Sequence, residues 1–397
     1  MMDKQLVAEK LDQAVAFLDA HGLDVWLTFV RETAVTPDPC LPFISGIDVV
    51  WHSAFLVSRS GRRVAIVGRP DADTLRNLGA YTDVVVYDES IRPALRSALA
   101  DLDPQQIAIN TSESDPSADG LSHGLWRTLV ETLAATPYVD RLVSAEGLIN
   151  SVRGRKSALE LARIKAAVRV TERLFARLSN RLERGLSERQ VADLLTAERR
   201  RLGLGAAWDE PYCPAVNAGP DSPAGHTLPG AHTWRRGHLL HIDFGVQQAG
   251  YCSDLQRMWY ALDKGERHAP DDVRRAWDAC WAALDAGAER LRAGAVGWEV
   301  DAAARQTLAA AGYPEFRHAL GHQLGRAAHD GGTLLGPRWD RYGSAPLGVI
   351  EAANVFALEL GVVVSGRGYI GLEEDVLVSE TGLEWLSKPQ RRLWLLD

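Results

Sequence analysis

The chain has 397 residues, 46% hydrophobic and 24% charged, with a net charge of −8. That length suits two or three domains and a sizeable buried core. No Lys/Arg stripe alternates with aromatics and no run of 18 apolar residues occurs, which argues against nucleic acid as a partner and against a membrane span. The opening MMDKQLVAEKLDQ is polar and reads as a helix start rather than a signal peptide. The four cysteines, Cys40, Cys213, Cys252 and Cys280, are dispersed with no CxxC. They read as reduced thiols, and the protein is expected to be cytoplasmic.

In chain order, residues 5–21 carry apolar side chains at helical spacing (Leu6, Val7, Leu11, Val15, Leu18). DVWLTFV at 24–30 reads as a strand, SAFLVSRSGRRVAIVG at 53–68 as a hairpin turning at Ser60-Gly61, and DVVVYD (83–88) and QQIAIN (105–110) as further strands. A mixed sheet with flanking helices is expected over this stretch, with no chemical motif. Asp48, Trp51 and His52 are assigned structural roles. The polar run Ser151 to Lys156 marks the boundary. The predicted domains are therefore 1–152 and 153–397, an α/β two-domain architecture.

Beyond the boundary a long helix runs from Ser157 to about Asn180, and a second follows the cap Ser187-Glu188 and ends at Gly203. A hairpin then carries Asp243 in LLHIDFGV and Asp254 in GYCSDLQRMWY. Two more helices, 271–293 and 298–311, precede a second hairpin with Glu359 in VFALELGVVV and Glu373 in GYIGLEEDVLV. The order helix, helix, acidic hairpin thus occurs twice, as in a duplicated half with the site between the copies.

Opposed residues of an antiparallel pair have numbers of constant sum. Pairing Asp243 with Asp254 puts the first fold point between Gln248 and Ala249, and pairing Glu359 with Glu373 puts the second on Gly366; both fall inside turn-like segments. Directly opposed side chains on one face are roughly 4.5–5.5 Å apart. Carboxylates that close repel unless a proton or a cation intervenes. Four acids on largely buried strands therefore point to a metal site, and HALGHQLGRAAHDGG offers His318, His322 and His329 as imidazole donors. Gly321 and Gly325 would let backbone approach a crowded centre. Oxygen ligands with one nitrogen suit Mn²⁺, Co²⁺ or Zn²⁺. Two such ions about 3.5–4 Å apart can share a hydroxide and clamp a hydrolytic transition state. His232, His238 and His241 are assigned structural roles, and Glu374 and Asp375 are read as hydrogen-bonding or surface residues.

These residues resemble the pita-bread metallopeptidases, the family of methionine aminopeptidase, aminopeptidase P and prolidase, over about 156–380. HIDFG…GYCSD looks like the segment giving the first two metal ligands, Asp243 and Asp254. GHQLG gives His322, FALELG gives Glu359 and LEEDVLV gives Glu373. The separate N-terminal domain is similar to that of the creatinase, prolidase and aminopeptidase P branch. The resemblance implies a C-terminal pita-bread α+β domain with a pseudo-twofold repeat. It implies two divalent ions per chain, Mn²⁺ foremost with Zn²⁺ or Co²⁺ as alternatives, and a bridging hydroxide with Glu359 as general base. It also implies substrate contacts from His226 (in AGHTLPG), His318 and His329, with His226 and His329 sharing in catalysis, and pairing of chains into a homodimer or a dimer of dimers.

The chain departs from the family pattern at three places. Glu359-Leu360-Gly361 stands where Glu-Pro-Gly is common. Val363 stands where a tyrosine is frequent, and Gly371 where an arginine is frequent. The leading expectation is a prolidase-like enzyme hydrolysing Xaa-Pro dipeptides. An Xaa-Pro aminopeptidase acting on longer peptides is one alternative. A non-peptidase amidohydrolase of this fold, of ectoine or creatine type, is another. A binding protein that kept the fold and lost the chemistry is a further rival, which metal content would separate.

Overall fold

The computed structural model describes residues 3–223, 225 and 227–397, and the chain divides into two units, Met1–Arg153 and Gly154–Asp397. In the first, helix α1 (Lys4–Ala20) opens on Asp3, whose side chain accepts from the Leu6 amide and satisfies an otherwise orphaned N–H. There follow β1 (Val25–Val30), α2 (Leu41–Ile44), β2 (Ser53–Ser58), β3 (Arg63–Gly68), α3 (Arg69–Leu78) and β4 (Asp83–Tyr87). The unit continues with α4 (Arg92–Leu102), β5 (Ile107–Ile109), α5 (His123–Leu133), β6 (Leu142–Ser144) and α6 (Glu146–Gly154). The sheet order is β4-β3-β2-β1-β5-β6, with β1, β2 and β3 antiparallel and the outer pairings parallel. One face is buried by α1, α3 and α6 through Val7, Leu11, Leu75 and Leu148. The other is buried by α4 and α5 through Leu95, Leu99, Leu125 and Leu129. The mixed sheet with flanking helices is as expected. The polar reading of Ser151 to Lys156 is corrected in part, because α6 runs through its first half with Leu148, Ile149 and Val152 buried. Three apolar positions in nine sufficed for an amphipathic turn that its polar neighbours concealed.

The second unit begins with α7 (Ala158–Ser179) and α8 (Glu188–Arg201). Each opens on a capping box, Ser157 with Glu160 and Ser187 with Gln190, in which side chain and backbone satisfy each other's amides. Strands β7 (Gly205–Ala206), β8 (Ala215–Ala218), β9 (Leu239–Phe244), β10 (Val246–Gln248), β11 (Tyr251–Cys252) and β12 (Leu255–Ala261) follow. Then come α9 (Asp271–Arg290), α10 (Gly297–Ala310), β13 (Gly321–Gln323), β14 (Val355–Val364), β15 (Gly368–Ser379), β16 (Gly382–Trp385) and β17 (Trp394–Leu396). The main sheet runs β13-β14-β15-β12-β9-β8, while β10 and β11 turn away into a small sheet with β7. Two helices followed by an acid-bearing strand pair occur twice, as the sequence pattern requires.

Strand parity separates the two faces of the main sheet. Phe244 and Trp259 meet Phe175 of α7, and Phe356, Leu358, Leu360 and Leu372 join Trp277, Trp281, Leu284 and Val300 of α9 and α10 in one core. The alternate residues point to the opposite face, and Asp243, Glu359 and Glu373 are among them. Burying these large apolar side chains contributes on the order of 1.5–3 kcal/mol each, so the register that aims the acids is strongly fixed.

Candidate metal centre

Register gathers the acids into two adjacent rows on one face. In the first, Asp243 on β9 is opposite Gln256 on β12, Gln256 is opposite Glu373 on β15, and Glu373 is opposite Glu359 on β14. In the second, His322 on β13 is opposite Ala357 and Ala357 is opposite Asp375. Beyond it lies Asp254, whose amide donates to Asp375 Oδ2 at 3.1 Å. The small Ala357 side chain between them leaves the imidazole room to reach over. The resulting cluster of Asp254, His322 and Glu373 has one ligand atom from each within 4.8 Å of the others. His322 Nε2 lies 4.0 Å from Asp254 Oδ2, 4.0 Å from Glu359 Oε1 and 3.9 Å from Glu373 Oε1.

The direct opposition of Glu359 and Glu373 is as expected. The first hairpin differs by two residues in register: Asp243 faces Gln256, and Asp254 is its diagonal neighbour on the same face. The fold point lies between Ala249 and Gly250, both left-handed at φ 50° and 77°, a two-residue turn whose twist matches the flanking strands. Parity survives this slip, so both aspartates still reach one face. Asp254 sits where the hairpin passes from one sheet to the other. Gly245 permits that crossing, since a Cβ there would lie 1.9 Å from the Ser253 carbonyl oxygen.

His322 is aimed by its other nitrogen. Nδ1 lies 3.1 Å from the Ala328 carbonyl, so it carries the proton and Nε2 presents its lone pair to the carboxylates. The loop supplying that carbonyl is anchored by the buried ion pair of Lys156 and Asp330 at 2.9 Å, and Gly325 provides the space the pair fills. Exposed His329 on the same loop packs its ring edge-on to His322, with centroids 4.2 Å apart. His318 is exposed, with its ring tilted against Phe316. Its carbonyl accepts from Arg305, which Asp301 holds. His226 lies outside the described residues. His241, assigned a structural role from sequence, is buried and bonds Gln256 of the acid row at 2.8 Å. Glu374 and Asp375 are hydrogen-bonded as expected but buried rather than at the surface. Glu374 forms a two-pronged ion pair with Arg257 on the far face.

Crowding and burial show in the acidities. Burial, then the nearby Glu359 charge, pushes Asp243 up to about 8 despite a hydrogen bond with Asp254. Burial lifts Glu359 to about 7 against the stabilising Gln256 amide. Burial, followed by the charges of Asp243 and Asp254 respectively, holds Asp254 and Glu373 well above the usual carboxylate range. Asp243 Oδ1, Asp254 Oδ1 and Glu373 Oε2 are buried with no hydrogen-bond partner among the described residues. Orphaned buried acceptors on hard oxygen donors, beside one aimed imidazole, fit a divalent cation.

Fold and donor set thus define a two-unit α/β protein whose second unit carries a carboxylate–imidazole centre suited to divalent metal. Metallopeptidase family M24 matches residues 162–380, over half of the chain, and the chain belongs to that family. The family implies divalent metal ions. An uncharacterised peptidase of Bacillus subtilis is 26% identical over 256 residues, 64% of this chain and 68% of that one. The crystal structure of X-Pro aminopeptidase from Thermotoga maritima aligns with a TM-score of 0.71 at 24% identity over 97% of this chain and 99% of that one. The Xaa-Pro dipeptidase from Bacillus anthracis aligns at 0.75 and 20% identity over 98% and 100%. These two likenesses establish the shared fold.

Gln256 is the site residue that sequence reasoning missed. The signal was there in parity, two positions after Asp254, but the two-residue error in register hid its place between two acids.

Proposed function

We propose that this metallopeptidase hydrolyses the Xaa-Pro bond of dipeptides, with Asp243, Asp254, His322, Glu359 and Glu373 holding two divalent ions. The observation carrying the reading is the convergence of Asp254, His322 and Glu373, with Glu359 4.0 Å from the imidazole. The solved structures called X-Pro aminopeptidase and Xaa-Pro dipeptidase support the substrate class.

Bound ions would polarise the scissile carbonyl and acidify water. The bond to proline is a tertiary amide, so the departing nitrogen carries no hydrogen and must be protonated as it leaves. Glu359, partly open with its side chain 26% exposed, is suited by position to take a proton from the attacking water and return it to that nitrogen. His329, exposed beside His322, would contact the proline end, with His318 and, by the resemblance, His226 completing the substrate side. Purified protein supplied with Mn²⁺ should release free proline from Xaa-Pro dipeptides and lose that activity on Glu359→Gln. A metal-loaded protein inert across Xaa-Pro substrates would defeat the proposal.

A second reading is cleavage of longer Xaa-Pro peptides. Val363, opposite Tyr369, is 69% exposed, so that edge of the acid-bearing face is open to a longer substrate. Comparing rates on Xaa-Pro and Xaa-Pro-Yaa-Yaa separates the two.

A further inference from the structure

Among the four side chains of the first row, Gln256 alone is neutral. It stands directly between Asp243 and Glu373, and its amide Nε2 donates to Glu359 Oε2 at 3.2 Å, one strand further on. Its own orientation is fixed from the other end. Gln256 Oε1 lies 2.8 Å from His241 Nε2, and His241 Nδ1 lies 2.8 Å from Asn217 Oδ1. The Asn217 amide is in turn tied to the Pro223 carbonyl at 2.7 Å. All three side chains are buried, with exposures of 6% for Gln256, 4% for His241 and 3% for Asn217. Both amide oxygens accept, so both His241 ring nitrogens donate; polar groups this deeply buried are costly to assemble unless every member is satisfied, and here the chain ends on Glu359.

The network occupies space that Gly371 leaves open. A Cβ at Gly371 would lie 2.3 Å from Gln256 Oε1 and 2.6 Å from His241 Nε2. Any side chain at 371 and the Gln256–His241 pair therefore exclude each other. The ring of Tyr369, two residues before, meets the His241 ring edge-on at 5.1 Å and closes the far side.

We infer that Gln256, oriented by His241 and Asn217, is a positioning residue for Glu359. It takes one carboxylate oxygen and leaves the other, Oε1, directed toward His322. The inference rests on the reading of Glu359 as a metal ligand and base. Losing one outer hydrogen bond to a ligand lowers metal affinity by roughly 10–100-fold. Gln256→Met keeps the length and removes the donor. Gly371→Ala pushes the same amide aside from the neighbouring strand without deleting any polar group of the site.

Titrating the metal-free protein with Co²⁺, read by visible absorption and competition with a chelator, tests this without substrate. For both variants we expect one of the two ions to bind about tenfold or more weakly, with far-UV circular dichroism unchanged. With Xaa-Pro substrate kcat should fall by a similar factor while KM stays within about twofold, the pattern of an interaction made in the transition state. Wild-type affinity for both ions and unchanged kcat in folded Gln256→Met or Gly371→Ala overturn the inference. If the wild type binds two ions yet cleaves no Xaa-Pro bond, the substrate reading fails while the Co²⁺ titration still decides the role of Gln256. A wild type that binds no ion sinks both.

Discussion

His322 and Asp254 show how the centre is set residue by residue. The Ala328 carbonyl holds one imidazole nitrogen and the Asp375 carboxylate holds the Asp254 amide, so neither proposed ligand depends on a metal for its aim. What the site lacks is charge balance, since Asp254 is raised first by burial and then by Asp243, Asp375 and Glu359. Asp254→Asn should therefore act in opposite directions. Without metal it relieves repulsion and stabilises the fold by on the order of 1–3 kcal/mol. With metal it removes a proposed ligand, and the bound stoichiometry should fall below that of the wild type. Thermal melts with and without chelator, beside metal content by mass spectrometry, read both arms; a variant destabilised in chelator would refute the repulsion argument. At this scale the sequence was legible where the turn was. Gly366 centres the second hairpin, and Glu359 duly meets Glu373. The first hairpin turns on Ala249-Gly250, and an alanine at φ 50° gives no outward sign of a left-handed position. Gln256 was overlooked for the same reason, since a buried amide declares its partners only once the register is right.

Among the elements, one of the short strands carries the most. β13 has three residues and holds His322 in its middle by pairing with β14. That pairing needs Gly321, because a Cβ there would sit 2.2 Å from the Ala357 carbonyl oxygen, a backbone atom unable to swing aside. Gly321→Ala should pry β13 from β14 and displace the imidazole. We expect a loss of about 1–3 kcal/mol, as for overpacking, with metal affinity falling far more than stability. Calorimetric titration with Mn²⁺ checks this, and unaltered affinity would show that β13 tolerates the shift. The long helices were plain from their caps, since Ser157 with Glu160 and Ser187 with Gln190 start α7 and α8 where the spacing placed them. β13 was not, because three residues show no period, and α6 was masked by its polar positions.

For the whole molecule, the centre couples metal, protons and stability. Asp243 is lifted to about 8 and Glu359 to about 7, and Asp254 and Glu373 stand well above their usual range. An unfolded chain releases these protons near pH 4. Between that range and the raised values the metal-free folded protein holds more protons than the unfolded one, so its stability is greatest below the unfolded values and is lost as pH rises through about 7 to 8. Divalent ions displace those protons and bind only the folded form, so their stabilising effect grows over the same interval. Melting temperatures in chelator should fall between about pH 5 and 8.5, while the increment on adding Mn²⁺ should widen, and titrations in buffers of different ionisation enthalpy should show proton release on binding. The two trends must appear together, because one set of raised carboxyl groups causes both. A chelated protein whose melting temperature holds or climbs across that range would mean that the acids are already balanced by the chain itself, and that the centre has no physical need of a cation.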